Sequence, residues 1–309
     1  MRPQRLLIAR SVTAAVAGGI VTVALACPAQ AASARTAVAA RPVAVSRAIA
    51  ASGPAGIQAA GADLVNAATG RRLWSRGLIT ERPIASITKV MTALVVIRAG
   101  HLGRKIRISR AVVTYVQEHD GSSAGLVAGD ILTARQLLEG MLLPSGCDAA
   151  FALAGAYGPG WRAFVGKMNA TARAMGLRGT HFANFDGLPW PTEYTTYSTP
   201  RDLIILGRAA MRLATFRDIV GQRTYYLPAT PQHHAYFWQN NNQLLGSYAG
   251  ADGIKTGFTL GAGHSLLFEA ERHGRTLIGV VLDSSVTNPT ASFTAARRLL
   301  NWGFAVLRA

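Results

Sequence analysis

A serine and a lysine, Ser86 and Lys89, interrupt the otherwise apolar run PIASITKVMTAL at residues 83–94. The apolar residues predict a buried helix, and this constrains the fold because a lysine in such a helix needs a polar partner or a path to water. Residues three positions apart lie on one helix face, so the Lys89 amine can accept a proton from the Ser86 hydroxyl. Alternatively, Ser86 caps the helix and Lys89 reaches water. The pair alone leaves both interpretations open.

The first 31 residues have the layout of a secretory signal peptide. Three arginines precede an apolar run, and two small residues, Ala29 and Ala31, define a cleavage site of the usual kind. The run is shorter than the ~20 residues of a membrane-spanning helix, and Pro28 closes it. We therefore expect cleavage after Ala31 and a secreted, extracytoplasmic protein. An uncleaved membrane anchor is the alternative.

Cysteine content fits export without a disulfide. The chain has two cysteines, Cys27 and Cys147, and cleavage leaves Cys147 alone. No internal disulfide is then expected. A lipid anchor on Cys27 is disfavoured, because Leu25 stands where lipoprotein signals carry a small residue and Pro28 follows the cysteine.

The chain is strongly basic, with a formal net charge of +17. This charge favours anionic partners, either wall polymers or a membrane surface. A genome that favours Arg and Ala codons explains the same excess. No block of consecutive basic residues marks a nucleic-acid or lipid patch, and export also argues against a nucleic-acid partner.

Three regions are predicted along the chain: a signal peptide at 1–31, an Ala-rich linker at 32–56 and a folded domain at 57–309. The domain opens with a hairpin in GADLVNAATGRRLWSRG. A helical middle follows, with helices from Ser86 to Gly100, from the capping box at Thr133–Gln136 to about Leu143, from Asp148, and in GWRAFVGKMNATARAMGL and TPRDLIILGRAAMRL.

The C-terminal third changes to strands. They are QRTYYLP, GIKTGFT, HSLLFEAER and TLIGVVLDS, followed by a final helix in TASFTAARRLLNWGFAVL. An early hairpin, a helical middle and late strands predict an α/β (α+β) domain, with one sheet completed by both ends and helices inserted between.

Two further segments carry polar residues of interest. The chain has four lysines, and Lys255 opens KTGFT on a predicted strand, where Gly257 leaves room for another backbone alongside. A bulge beside a surface lysine is the simpler interpretation. Ser145 lies in LLPSGCDAA, at a turn between two predicted helices.

Taken together, SITK, SGC and KTG occur in the order and spacing of the three motifs of the serine penicillin-recognising enzymes. With MNATARAMGLRGTHFANFDGL, YSTPRDL and DGIKTGFTLGAG, the chain from residue 57 to its end resembles the D-alanyl-D-alanine carboxypeptidases, the low-molecular-mass penicillin-binding proteins. The resemblance implies a β-lactamase/transpeptidase-like fold, in which helices flank a five-stranded antiparallel sheet and a helical subdomain lies beside it. It implies no cofactor and no metal.

The resemblance also implies catalytic roles. Ser86 would attack the carbonyl between the two terminal D-alanines of a peptidoglycan stem peptide, and β-lactam antibiotics would acylate it as inhibitors. Lys89 would take the Ser86 proton, which requires an uncharged amine, and burial beside Lys255 favours that form. Ser145 would relay the proton to the departing D-alanine. Lys255 and Thr256 would hold the substrate carboxylate.

The remaining implied residues bind the substrate peptide. The backbone N–H groups of Ser86 and Phe258 would form an oxyanion hole, next to Gly257. Cys147 would lie beside the peptide group, where most members carry an asparagine. Some transpeptidase-like members carry cysteine there, so the balance between water and an amine as acceptor stays open.

Other functions fit the sequence less well. A serine β-lactamase would add a glutamate with an asparagine four residues later, but between Ser145 and Lys255 the only glutamate is Glu193, and Tyr197 follows it. The histidines show no zinc-peptidase grouping. A non-catalytic β-lactam-binding or wall-binding protein stays the alternative from another class. We expect the chain to lack the C-terminal β-domain and anchor of many members.

Overall fold

The structure of the protein is a computed structural model that describes residues 53–308. The predicted signal peptide and most of the predicted linker lie outside these residues. Ile57, where the folded part was expected to begin, is buried, and the first strand starts four residues later at Gly61. Within the described range, every helix is too short or too polar to cross a membrane.

Regular structure in residues 53–308 comprises eleven strands and eight α-helices. The strands are β1 (Gly61–Asn66), β2 (Arg72–Arg76), β3 (Arg82–Pro83), β4 (Lys105–Arg107), β5 (Ile131–Thr133), β6 (Tyr197–Ser198), β7 (Thr224–Leu227), β8 (Tyr236–Gln239), β9 (Ala251–Gly257), β10 (Ser265–Arg272) and β11 (Arg275–Leu282). The helices are α1 (Lys89–Ala99), α2 (Arg110–Glu118), α3 (Ala134–Leu142), α4 (Cys147–Tyr157), α5 (Trp161–Ala174), α6 (Pro200–Met211), α7 (Ala214–Val220) and α8 (Ala291–Arg308).

A five-stranded antiparallel sheet combines both ends of the described chain, in the order β2-β1-β11-β10-β9. Successive side chains of a strand point to opposite faces of the sheet. The central strands are buried on both faces, so each of them contributes side chains to two hydrophobic layers. On β10, Leu266 and Phe268 pack with residues of α8, whereas Leu267 packs with the helices of the other face. The predicted five-stranded sheet between helical layers is therefore confirmed.

Several local predictions hold and others need correction. The capping box of α3 is present, since Thr133 Oγ1 accepts from Gln136 N at 3.2 Å and Gln136 Oε1 accepts from Thr133 N at 2.7 Å. The strand in QRTYYLP exists as β7 but pairs with β8 in a separate ribbon. The short pairs β3–β6 and β4–β5 were not predicted, because strands of two or three residues carry no readable alternation.

A buried carboxylate, Asp148, ties the helical side of the domain together at the start of α4. It accepts hydrogen bonds from the backbone N–H groups of Ala124 at 2.9 Å and Leu126 at 3.2 Å, and from Ser123 Oγ at 2.7 Å. Charge-assisted bonds of this kind are among the stronger ones in proteins. They fix the loop before β5 against the first turn of α4.

Strand β9 lies very close to the 3₁₀ turn Ala85–Thr88, which precedes α1. A Cβ atom added to Gly257 would come within 2.8 Å of the Ile84 carbonyl oxygen and 3.3 Å of the Ile87 nitrogen. The close backbone approach predicted for this glycine is confirmed. The edge of the sheet can lie against the turn only because Gly257 has no side chain.

Two carboxyl groups lie on the adjacent strands β9 and β10: Asp252 is half-buried and Glu269 is buried. Glu269 is 6% exposed, and its burial, followed by the charge of Asp252, raises its pKa to about 8. Burial also raises the pKa of Asp252, to about 6. Arg217 of α7 partly offsets both shifts. Glu269 is therefore mostly protonated at neutral pH.

We predict that Gly257→Ala lowers the free energy of unfolding by about 1–3 kcal/mol, the usual cost of overpacking a tight contact. The added methyl group meets backbone atoms, which cannot rotate away. Chemical denaturation measures the change. Gly155→Ala in α4 is the matched control: its added Cβ meets nothing within 4 Å, and alanine favours a helix by roughly 0.5–1 kcal/mol. Equal stability of the Gly257 variant and the wild type would contradict the close approach.

We also predict that Glu269→Gln removes part of the pH dependence of folding. Unfolded glutamate loses its proton near pH 4.5, whereas folded Glu269 keeps it up to about pH 8, so stability falls as pH rises through this window. Denaturation at pH 5 and pH 9 should show the wild type losing roughly 2–4 kcal/mol more than the variant. Glu118→Gln, at an exposed position at the end of α2, controls for the loss of a carboxylate. Identical pH slopes for wild type and Glu269→Gln would overturn the shift.

Candidate active site

The backbone around Ser86 is held in an unusual conformation. The serine lies in the 3₁₀ turn Ala85–Thr88 and not in the α-helix itself, which starts at Lys89. Ala85 has a positive φ of 46°, and a Cβ added to Gly187 would come within 1.9 Å of its carbonyl oxygen. The Gly187 backbone therefore packs directly against the turn. Ser86 is half-buried in the wall of a cleft.

Lys89 is completely buried one turn after the serine, at 0% exposure. Its Nζ lies 2.8 Å from Ser86 Oγ, 3.0 Å from the carbonyl oxygen of Asp186 and 3.3 Å from Cys147 Sγ. No carboxylate within the described residues pairs with it. The amine is therefore held by three polar atoms, one of which is the hydroxyl it would deprotonate.

A polar network that sequence reasoning missed supports the Asp186 backbone. The Asp186 carboxylate accepts a hydrogen bond from Tyr115 Oη at 2.7 Å and from Leu188 N at 3.1 Å, and Trp190 Nε1 donates to Tyr115 Oη at 3.0 Å. Burial, and then the Asp186 charge, raises the pKa of Tyr115, so its hydroxyl stays a donor. The segment HFANFDGL contains Asp186, but nothing in its pattern indicated a contact with Lys89.

Ser145 faces Ser86 across the cleft from the turn between α3 and α4. It has a positive φ of 70°, which a non-glycine residue seldom adopts. Asn241 braces the turn, since its N–H donates to Leu143 O at 3.1 Å and its Nδ2 to Pro144 O at 3.2 Å. Ser145 Oγ lies 3.1 Å from Lys255 Nζ, so the second and third motifs meet.

Lys255 is as buried as Lys89, at 1% exposure on β9. Its Nζ is also 3.0 Å from Thr256 O and 3.4 Å from Thr256 Oγ1. Burial, followed by the positive charge of Lys89, lowers its pKa well below the usual value of a lysine. A negatively charged group entering the cleft would offset both effects.

Cys147, which the resemblance implies beside the substrate peptide, lies behind the surface of the cleft. Its side chain is fully buried at the first residue of α4, and its sulfur contacts Lys89 and not the cleft surface. Burial raises the pKa of the thiol to about 12, although Lys89 partly opposes this. Burial therefore favours the protonated thiol of Cys147 over a thiolate.

The cleft has a volume of about 320 Å³. Of the residues singled out in the sequence, it is lined by Ser86, Ser145, Thr256, Gly257 and Phe258. Sequence reasoning missed Ser122, Asn241, Gln243 and His264, which line it as well. Phe258 stacks on His264, with ring centroids 4.2 Å apart, and forms an aromatic rim.

Acidic residues are missing from this lining in the part of the chain that the structure describes. Glu193, the single candidate for a deacylating glutamate, instead accepts a hydrogen bond from the Gly261 N–H outside the cleft. The site thus contains two hydroxyl groups, each within hydrogen-bond distance of a lysine amine: Ser86 near Lys89, and Ser145 near Lys255. It also offers cationic and backbone donors for an anionic substrate. This chemistry suits acyl transfer from a peptide with a free carboxylate.

Known proteins share both the sequence and the fold. Residues 47–286 match the sequence profile of the D-alanyl-D-alanine carboxypeptidase family, and the match begins within the predicted linker. A D-alanyl-D-alanine carboxypeptidase of Streptomyces sp. strain K15 is 41% identical over 262 residues, which cover 81% of this chain and 88% of that protein. DacF of Bacillus subtilis strain 168, a D-alanyl-D-alanine carboxypeptidase, is 32% identical over 80% of this chain and 62% of its own length.

The crystal structure of the Streptomyces K15 DD-transpeptidase matches this fold with a TM-score of 0.77 at 41% identity. The match covers 82% of this chain and 99% of that one. Fold, motifs and relatives therefore agree with the resemblance seen in the sequence. The chain belongs to the D-alanyl-D-alanine carboxypeptidase family.

Proposed function

We propose that this D-alanyl-D-alanine carboxypeptidase cleaves the terminal D-alanine from peptidoglycan stem peptides through an acyl-enzyme on Ser86. The observation that carries the proposal is the buried Lys89 amine, 2.8 Å from Ser86 Oγ. A serine hydroxyl is a weak nucleophile unless a base lies within hydrogen-bond reach. In the cleft, Ser86 has such a base.

Acylation begins with attack of Ser86 Oγ on the carbonyl carbon between the two D-alanines, while the hydroxyl proton passes to Lys89 Nζ. The oxygen of the tetrahedral intermediate becomes negative and accepts hydrogen bonds from the backbone N–H groups of Ser86 and Phe258, both at the cleft wall. One donor of this kind is typically worth about 3–4 kcal/mol in the transition state.

Collapse of the intermediate needs a proton on the departing nitrogen. Ser145 relays it: its hydroxyl, which lines the cleft and lies 3.1 Å from Lys255 Nζ, gives its proton to the nitrogen and takes up the proton that Lys89 received from Ser86. The C–N bond breaks, D-alanine leaves with the proton, and an ester to Ser86 stays. Lys255 and Thr256 hold the terminal carboxylate, and Gly257 lets β9 lie beside the reacting carbonyl. Cys147 contributes indirectly, because its sulfur accepts a hydrogen bond from Lys89 Nζ and so helps to position the amine.

Release of the acyl group takes either water or an amine of another stem peptide. Water gives the carboxypeptidase reaction and an amine gives a cross-link. β-Lactams enter the same reaction as covalent inhibitors, because their strained amide replaces the D-alanyl-D-alanine bond. A β-lactamase is disfavoured, since no carboxylate in the described cleft lining can activate the deacylating water. A purely binding role is disfavoured by the contact between Ser86 and Lys89.

The substrate places the reaction outside the cytoplasm, on the wall side of the membrane. Residues 1–31 have the layout of a cleaved signal peptide, which supports secretion. Cleavage removes three arginines from the net charge of +17 and leaves +14, which supports electrostatic contact with anionic wall polymers or the membrane surface. Neither nucleic acid nor a cofactor takes part.

Labelled penicillin should attach to Ser86, and Ser86→Ala should abolish labelling, because no other cleft serine lies next to Lys89. Mass spectrometry of the labelled peptide identifies the residue. Ser122→Ala is the control, since Ser122 lines the same cleft without a lysine partner, and it should keep labelling within a few-fold of the wild type. An adduct on Ser122, Ser145 or Cys147 would contradict the assignment.

Lys89→Arg should slow penicillin acylation by at least about 100-fold, because arginine keeps its proton and cannot serve as a base. The second-order acylation rate measures this effect. Lys105→Arg, at an exposed position on β4, is the matched control and should leave the rate unchanged. A Lys89→Arg rate within tenfold of the wild type would mean that another group is the base.

A further inference from the structure

A second cavity, with a volume of about 460 Å³, adjoins the catalytic cleft and shares Gln243 with it. It lies where the β7–β8 ribbon meets the segment that follows β8, at residues 240–247. The proposed mechanism uses none of its other residues. Because Gln243 borders both spaces, a peptide in the cleft can continue into this cavity.

Some polar side chains of the cavity wall already have partners. Asn240 Nδ2 donates to the carbonyl oxygens of Val220 at 3.0 Å and Gln222 at 2.9 Å. Ser247 Oγ accepts from Arg297 Nη2 at 2.7 Å. These residues shape the wall and are not available to a ligand.

The side-chain NH₂ of Asn242 lacks a partner. Asn242 is 2% exposed, and its Oδ1 accepts from Leu244 N at 3.1 Å, which fixes Nδ2 as the other branch of the amide. Nδ2 is buried without a hydrogen-bond partner among the described residues. Buried donors are nearly always satisfied in folded proteins, so this one calls for an acceptor.

Arg223 is an exposed residue that lines the cavity, and its guanidinium also has no partner among the described residues. The guanidinium packs directly on Gly246, since a Cβ added to this glycine would come within 3.0 Å of Arg223 Cζ and Nε. The absence of a side chain at Gly246 therefore lets the guanidinium lie flat at the cavity. Within residues 53–308, neither a carboxylate nor another acceptor pairs with it. An arginine left without an acidic partner beside a polar cavity is suited to bind an anion.

We propose that this cavity binds a second carboxylate of the substrate, upstream of its terminal D-alanyl-D-alanine. The inference rests on the proposed function, which already uses Lys255 and Thr256 for the terminal carboxylate. Arg223 and the Asn242 NH₂ only donate hydrogen bonds, and a carboxylate only accepts them. The fork of the guanidinium matches two carboxylate oxygens, which makes this group a better ligand than a neutral amide.

The test uses pairs of synthetic peptides that end in D-alanyl-D-alanine and carry one side-chain carboxylate, or the matching carboxamide, one, two or three residues upstream. We expect the wild type to prefer the acid at one of these positions, with a kcat/KM about tenfold above that of the amide. Arg223→Gln should reduce this preference to within twofold by slowing the acid peptide alone. Arg223→Lys, which keeps the charge but not the fork, should give an intermediate preference.

Arg275→Gln is the matched control, because Arg275 is an exposed arginine on β11 that lines a different cavity. It should keep the full preference for the acid. Added salt should weaken that preference in the wild type, as expected for a partly exposed ion pair.

Two outcomes would overturn the inference. One is a wild type that treats acid and amide alike at all three positions. The other is an Arg223→Gln variant that loses activity equally on acid peptides, amide peptides and penicillin, which would indicate a purely structural arginine. Failure of the proposed function looks different: the wild type would then neither release D-alanine from a short peptide without an upstream carboxylate nor bind penicillin covalently.

Discussion

The buried amine of Lys89 is the interaction on which the site depends. A lysine without water around its nitrogen must find polar partners within the protein, since an unsatisfied buried cation or amine is costly. Here the partners come from three separate parts of the chain: the hydroxyl of Ser86, the sulfur of Cys147 and the carbonyl of Asp186. The packing of α1, α4 and the loop at Asp186 therefore also assembles the surroundings of the proposed catalytic base.

The geometry of Ser86, the proposed nucleophile, follows from the same packing. Gly187 is the residue after Asp186, and only a glycine leaves space for the Ala85 carbonyl beneath the 3₁₀ turn. Gly257 does the same where β9 approaches Ile84. Two glycines thus let backbone segments pack directly against the turn, and Ser86 is oriented by backbone contacts that no rotamer change can relax.

The sequence predicted the parts of this arrangement that depend on local pattern. Ser86 and Lys89 share a helix face, the capping box at Thr133 marks a helix start, and alternating or continuous apolar runs mark the sheet. The support for Asp186 could not be predicted in this way, because Tyr115 lies 71 positions away and the two meet only through tertiary packing. Family resemblance supplied the roles of the motifs.

The position of Cys147 shows what the motif alone leaves undetermined. The motif places the residue correctly in the chain, but the direction of its side chain depends on the rotation of α4, which the loop held by Asp148 sets. A sulfur is a weak hydrogen-bond partner and can be buried at little cost, so it packs against Lys89. The same position filled with an amide would need two strong partners. Replacing an amide by a thiol therefore changes which groups the site must satisfy.

The two buried lysines at the cleft suit it to an anionic substrate. Lys89 and Lys255 are both buried, and burial together with the neighbouring positive charge lowers the pKa of Lys255. A substrate carboxylate near Lys255 reverses both effects, because it favours the charged amine. Binding the carboxylate and protonating Lys255 are therefore linked, and each strengthens the other. A substrate carboxylate at this position would form an ion pair with Lys255.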